Sequence, residues 1–197
     1  MNLPNKLTLF RIFLIPVLIL FWIFPFQSVG ISFYEFYFKG FSLSVFNLII
    51  LFIFAIASIT DALDGHIARK NNLITTFGKF ADPIADKLLV NTMLLLLLSA
   101  NKIPAIPVVV MLGRDTIVDG CRMIASRNGI VVAAGFMGKV KTASQMIAIA
   151  LILLNNLPFA ILGLNVAIFM LWFATFASLM SGIQYFMQLK DYIFESM

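Results

Sequence analysis

Charged side chains are scarce in this sequence. Only 12% of its 197 residues are Asp, Glu, Lys or Arg, whereas soluble domains average about 25%. Apolar residues make up 61% of the chain, and the mean hydropathy is +1.02. A chain of this length cannot bury so much apolar surface in its own core, which argues against a soluble protein. The composition predicts a single integral membrane domain over residues 1–197.

Cysteine and histidine are nearly absent. The lone Cys121 excludes an intramolecular disulfide and argues against a cysteine-based metal site. His66 is the only histidine, so no His cluster of the kind that binds zinc is indicated. We assign a catalytic role to neither residue.

A signal-peptide cleavage site is also missing. Lys6 and Arg11 precede an apolar run, as in a signal peptide, but the run ends in FWIFPF rather than in small residues. We therefore expect this run to be retained as a transmembrane helix.

Six apolar segments approach the roughly 20 residues that a membrane-spanning helix needs. They run over about 7–24, 43–60, 81–100, 103 onward, 138–154 and 158–186. The expected fold is an all-α membrane protein with six transmembrane helices.

Lys and Arg lie almost entirely on one side of this topology. The N-terminus, residues 61–87, residues 113–141 and the C-terminus share that side, and of the 14 basic residues only Lys39 and Lys102 lie opposite. This bias predicts that both termini are cytoplasmic. Basic groups near helix ends suit anionic headgroups or phosphate substrates, so we expect no nucleic-acid partner.

Four aspartates occur at helical spacing in residues 61–87, which read DALDGHIARKNNLITTFGKFADPIADK. Asp61 and Asp64 are three residues apart at the end of one helix, and Asp82 and Asp86 are four apart at the start of the next. Each pair therefore shares a helix face. A hairpin between the two helices brings all four carboxylates together.

Convergence of four carboxylates requires compensation. Two like charges about 6 Å apart repel by roughly 3 kcal/mol at an effective dielectric of 20. Protonation or a bound cation would relieve this repulsion, and carboxylate oxygens suit Mg²⁺, Mn²⁺ or Ca²⁺. Helix capping is the alternative for any single aspartate. Four aspartates paired at helical spacing favour a metal site over capping. We expect a polar, metal-containing cavity that is open to the cytoplasmic side and has room for two ions.

The same segment fits the pattern D-x2-D-G-x2-A-R-x8-G-x3-D-x3-D at every defined position. This pattern resembles the signature of the CDP-alcohol phosphotransferases, whose six-helix fold would cover the whole chain. The resemblance implies transfer of a phosphatidyl group from a CDP-linked donor such as CDP-diacylglycerol to an alcohol, with release of CMP. It also implies a bacterial cell membrane location and a homodimer.

The resemblance also implies roles for individual residues. Asp61, Asp64, Asp82 and Asp86 would hold Mg²⁺ or Mn²⁺, two ions per site, and Asp86 would also be the catalytic base. The donor's CDP group would be bound by residues of this segment and of the first helix: Asn5, Thr8, Arg11, Asp61, Gly65, Ala68, Arg69 and Gly78. The alternatives are a capping role for Thr8 and, for Arg11, a side chain that reaches out to the interface.

Three further segments resemble family members that use glycerol 3-phosphate as the acceptor. They are the opening NLPNKLTLFRIFLIPV, residues 113–122 and residues 138–142. The predicted ligands of the acceptor phosphate are Arg114, Arg122, Lys139 and Lys141. For the two lysines, contact with lipid headgroups is the alternative. We expect Asp115 and Asp119 to form ion pairs that orient the arginines.

Three alternatives stay open at this point. A sister enzyme would use phosphatidylglycerol, inositol phosphate or serine as the acceptor. A divalent-cation transporter would use the aspartates as an ion site, although such sites normally lie near the bilayer midplane. Finally, Ala174, Ala177 and Ser178 of the sixth helix suit either packing within the chain or the dimer interface.

Overall fold

The computed structural model describes residues 2–38, 41–71, 75–127 and 135–195. Six long helices account for most of this part of the chain: α1 (Leu3–Ile23), α2 (Val45–Lys70), α3 (Thr76–Ser99), α4 (Ala105–Arg127), α5 (Phe136–Leu153) and α6 (Val166–Glu195). Strands β1 (Glu35–Phe38) and β2 (Phe41–Ser44) pair antiparallel between α1 and α2. Six long helices form as expected, but that all six cross the membrane stays a prediction. The pair of strands between α1 and α2 was not predicted.

Polar residues that interrupt the apolar runs did not end the helices. Helix α2 continues ten residues beyond Thr60, and α3 begins five residues before Ala81. Both pairs of aspartates consequently lie inside helices rather than in a connection. Helix α6 begins later than expected. Pro158 is followed by a short 3-10 turn, Phe159–Leu162, and α6 begins only at Val166.

Side-chain caps fix where three helices begin. Asn2 accepts a hydrogen bond from Asn5 N at 3.2 Å, and Ser44 accepts one from Phe46 N at 3.3 Å. At the start of α3, Thr75 Oγ1 accepts from Gly78 N at 3.0 Å. Each cap satisfies an amide that has no partner within its helix.

Four of the helices are long and apolar enough to cross a membrane: Leu3–Ile23, Val45–Gly65, Phe136–Leu153 and Val166–Lys190. The chain is therefore a mostly helical integral membrane protein. Helices α3 and α4, of 24 and 23 residues, are of similar length, but several charged residues lie in the first half of α3 and in α4 from Arg114 onward.

Apolar side chains are divided between a core and the outer surface. Leu18, Ile50, Met93 and Leu171 are fully buried where the helices meet. Many large apolar side chains face outward instead, among them Phe13, Phe52, Phe169, Phe176 and Met187. An outward apolar surface is what lipid tails would contact.

The small residues of α6 serve packing within the chain. Ala174 and Ser178 are fully buried, and Ala177 is 3% exposed. Because these side chains are buried within one chain, they cannot contact a second copy. The interpretation that they form a dimer interface is therefore wrong.

Candidate active site

Three helices bring the four aspartates together. Asp61 and Asp64 lie near the end of α2, and Asp82 and Asp86 lie in the first turns of α3. The N-terminal part of α1 packs against both helices and supplies the polar groups that contact the carboxylates. The convergence expected from helical spacing therefore includes a third helix.

Arg11 of α1 lies among the carboxylates and is fully buried. Its Nη1 donates to Asp61 Oδ1 at 2.5 Å and to Asp86 Oδ1 at 3.0 Å, and its Nη2 donates to Asp64 Oδ2 at 2.7 Å. Arg11 does not reach out to a lipid interface. The guanidinium compensates part of the negative charge that four converging carboxylates create.

Thr8 connects the remaining aspartate to the others. Its Oγ1 lies 2.7 Å from Asp82 Oδ1, 3.4 Å from Asp64 Oδ2 and 3.1 Å from the carbonyl oxygen of Pro4. Thr8 and Arg11 are three residues apart on one face of α1. Together they contact all four carboxylates, so they hold the aspartate cluster together.

Asn5 and Gly78 mark a close approach of α1 to α3. Thr75 Oγ1 donates to Asn5 Oδ1 at 2.8 Å. A Cβ atom at Gly78 would lie 3.3 Å from Thr75 Oγ1, 3.4 Å from Asn5 Oδ1 and 3.5 Å from Asp82 Oδ2. Glycine at this position keeps room for these three polar atoms beside the cluster.

The other residues predicted to bind the donor lie on α2. Gly65 and Ala68 are half-buried and follow Asp64 by one and four residues. The side chains of Arg69 and His66 lie outside the part of the chain that the structure describes.

A cavity of about 320 Å³ adjoins the cluster. Its lining includes Asp82 and Asp86 of α3, Arg114 and Arg122 of α4, and Lys141 of α5. The cavity therefore contains two of the predicted metal ligands together with three of the four predicted phosphate ligands.

Arg114 and Lys141 share one carboxylate at this cavity. Asp115 Oδ1 accepts from Arg114 Nη1 at 2.8 Å, and Asp115 Oδ2 accepts from Lys141 Nζ at 2.6 Å. Two cations against one buried anion leave a net positive charge, which suits a phosphate group. Gly182 of α6 makes room for Arg114, because a Cβ there would lie 3.0 Å from Arg114 Cγ.

Tyr185 of α6 fixes the position of both arginines and was not identified from the sequence. Its ring faces Arg122 Cζ at 4.7 Å and Arg114 Cζ at 5.5 Å. Its hydroxyl accepts from Arg122 and from Gly135 N. These cation–π contacts hold both guanidiniums against one ring. The buried Nε atoms of both arginines have no hydrogen-bond partner among the described residues.

The structure changes the set of lysines at the cavity from the one that was predicted. Lys139 is exposed and does not line the cavity. It is two residues from Lys141, and positions that far apart on a helix point in different directions. Lys87, which was not singled out, lines the cavity and pairs with Asp119. The expectation that Asp119 orients an arginine is therefore wrong, whereas Asp115 does pair with Arg114.

The donor set of the cluster fits a hard divalent cation in chemistry and in charge. Three of the four carboxylates contact the Arg11 guanidinium, and the fourth, Asp82, contacts the hydroxyl of Thr8. One positive charge therefore faces four carboxylates in these contacts, and most of their negative charge is not compensated. The carboxylates of Asp61, Asp64 and Asp86 point at the Arg11 guanidinium. Among the described residues, no three Asp, Glu, His or Cys side chains are arranged as ligands of one metal ion.

Comparisons with known proteins agree on one family. A family model described as CDP-alcohol phosphatidyltransferase matches residues 1–180. Three relatives are each named CDP-diacylglycerol–glycerol-3-phosphate 3-phosphatidyltransferase. The protein of Bacillus subtilis is 43% identical over 94% of this chain and 93% of its own length. The protein of Rickettsia felis is 38% identical over 97% of this chain and 97% of its own length. The protein of Haemophilus influenzae is 32% identical over 99% of this chain and 97% of its own length.

Proposed function

Because this chain belongs to the CDP-alcohol phosphatidyltransferase family, we propose that it transfers the phosphatidyl group of CDP-diacylglycerol to glycerol 3-phosphate. The products are phosphatidylglycerophosphate and CMP. The observation that carries the acceptor is the shared cavity, whose lining combines Asp86 with Arg114, Arg122 and Lys141. The names of the relatives support the same substrates.

The proposed roles follow from what lines the cavity. Arg114, Arg122 and Lys141 bind the acceptor's phosphate, and Tyr185 keeps the two arginines in place. The acceptor's free hydroxyl then extends toward Asp86. Its oxygen attacks the phosphorus that carries diacylglycerol, the bond to the bridging oxygen breaks, CMP leaves, and the hydroxyl proton passes to Asp86. The Asp86 side chain is 42% exposed, so an acceptor in the cavity can reach it.

The proposed cofactor is Mg²⁺ or Mn²⁺ at Asp61, Asp64, Asp82 and Asp86. When bound, such ions supply charge neutralisation at the donor's pyrophosphate. Arg11 and Thr8 keep the four carboxylates close together, which supports this assignment. The proposed contacts of the donor's CDP group are residues of α1, α2 and α3: Asn5, Thr8, Arg11, Asp61, Gly65, Ala68, Arg69 and Gly78.

The proposed topology has all six helices in the membrane and both termini in the bacterial cytoplasm. The charge bias supports this orientation, and the polar contacts agree with it. Aspartate, arginine and lysine contacts cluster at the end of the bundle where α1, α3 and α5 begin. The homodimer rests on the family resemblance and needs an interface other than the buried small residues of α6.

An acceptor-panel assay tests the proposal. Purified protein is given CDP-diacylglycerol and Mg²⁺ or Mn²⁺, with glycerol 3-phosphate, phosphatidylglycerol, inositol phosphate or serine, and CMP release is measured. We expect release with glycerol 3-phosphate and little with the others. Absence of CMP with glycerol 3-phosphate, or faster release with another acceptor, refutes the proposed acceptor. Release without added metal after chelation refutes the cofactor.

A further inference from the structure

A buried amide belongs to the lining of the cavity. Gln145 lies on α5, one helical turn beyond Lys141, and is 1% exposed. The cavity is also lined by the apolar Val90 and Met146 and by the polar Asn91 and Thr142. Gln145 therefore lies in the proposed acceptor site, one turn further along α5 than the predicted phosphate ligand Lys141.

The Gln145 amide is not satisfied by the protein. Its Nε2 has no hydrogen-bond partner among the described residues. A buried donor without a partner destabilises a protein by about 1–3 kcal/mol. Replacement by a similarly shaped apolar residue would remove that cost, so this glutamine is explained better by a partner that is not part of the chain.

The position of Gln145 suggests which partner that is. Polar residues of both α3 and α5 line the cavity, with Asp86 on α3 and Lys141 on α5. An acceptor whose phosphate contacts Lys141 and whose terminal hydroxyl contacts Asp86 places its middle carbon between them. A substituent on that carbon lies near the next turn of α5, where Gln145 is.

We propose that Gln145 is a specificity-determining residue whose side-chain amide hydrogen-bonds the secondary hydroxyl of a three-carbon polyol phosphate. This inference rests on the proposed function and adds a residue and a substrate group to it. A site that pairs a buried amide with a substrate hydroxyl discriminates against analogues without that hydroxyl, because the amide is then left unpaired.

The test compares glycerol 3-phosphate with 3-hydroxypropyl phosphate, which differs only by lacking the secondary hydroxyl. The kcat/KM of CMP release is measured for both acceptors with wild-type protein, Gln145→Leu and Gln145→Met. We expect the wild type to prefer glycerol 3-phosphate by about tenfold to a hundredfold. Both variants should lower kcat/KM for glycerol 3-phosphate and bring the preference to about threefold or less.

Ser178→Ala is the matched control. Ser178 is also fully buried, and its Oγ also lacks a hydrogen-bond partner among the described residues, but it does not line the cavity. The control should keep the wild-type preference between the two acceptors.

Each outcome bears on the inference. A parallel loss of kcat/KM for both acceptors in the Gln145 variants overturns it, because that result indicates a packing role. Equal use of both acceptors by the wild type also overturns it and needs no variant to fold. Absence of CMP release from the wild type with glycerol 3-phosphate overturns the proposed function, and this inference with it. Loss of the preference in the Gln145 variants alone supports it.

Discussion

Arg11→Met removes the guanidinium that contacts three carboxylates of the aspartate cluster. Methionine keeps much of the length of the side chain and fits a buried position. Asp61, Asp64 and Asp86 then lose the cation that holds them close together. We expect the folded state to be destabilised even though no apolar contact of the core is removed.

The magnitude depends on how buried each partner is. The Asp64 side chain is 2% exposed, so breaking its pair with Arg11 costs about 3–5 kcal/mol. The side chains of Asp61 and Asp86 are 27% and 42% exposed, so each of those pairs adds at most about 1 kcal/mol. Arg11 Nε has no partner among the described residues, which offsets part of the loss. We take about 3 kcal/mol as the net effect.

Thermal unfolding in detergent measures this loss. For a chain of this size, about 3 kcal/mol corresponds to a fall in Tm of roughly 6–12 °C. A chelator is present, so that no divalent cation replaces the guanidinium, and a pH of about 8 keeps ordinary carboxylates ionised. Lys6→Met is the control, because it also removes a positive charge from α1 but at an exposed position. If the two variants unfold within about 2 °C of each other, a central ion-pair role for Arg11 is refuted.

Three further predictions concern the same site. Asp82→Asn should abolish metal-dependent CMP release while leaving Tm nearly unchanged, because among the described side chains Asp82 contacts the hydroxyl of Thr8 but no cation; retained activity contradicts the metal assignment. Thr8→Val should lower the free energy of unfolding by about 1.5–3 kcal/mol, since it removes a hydrogen bond to a carboxylate. The control Thr116→Val, whose exposed hydroxyl contacts only its own helix, should change it much less, and equal losses contradict the role of Thr8. Lys141→Met should raise KM for glycerol 3-phosphate at least tenfold, and Lys139→Met should raise it less; the reverse order contradicts the placement of the phosphate.

Family, fold class and reaction type were predictable because they depend on local features of the chain. Hydropathy over about 20 residues identifies an apolar helix wherever it later packs. The spacing of Asp61 and Asp64 places them on one helix face before any tertiary contact forms. The family resemblance of this segment, now confirmed by the matching family model and by the relatives, also needs only the sequence.

The partners of charged residues were harder to predict, because they are distant in sequence. Donor binding by Arg11 stays a prediction, but its contacts with aspartates at least 50 residues away in sequence were not predicted. Asp119 was expected to orient an arginine but pairs with Lys87 of a different helix. Which charges meet depends on how helices rotate and pack, and no local pattern records this.

A membrane-embedded chain with an acidic segment was predictable because apolar runs and helical spacing are local properties, and the transferase reaction was predictable from the family resemblance of that segment. What surrounds the aspartates and what lines the cavity became visible only in the folded chain. There Arg11 and Thr8 lie among the carboxylates, Lys141 rather than Lys139 lines the cavity, and Gln145 Nε2 has no hydrogen-bond partner among the described residues. The physical reason is that burial and pairing are settled when helices from distant parts of the chain pack, and each buried polar group must then find a partner there or in a ligand.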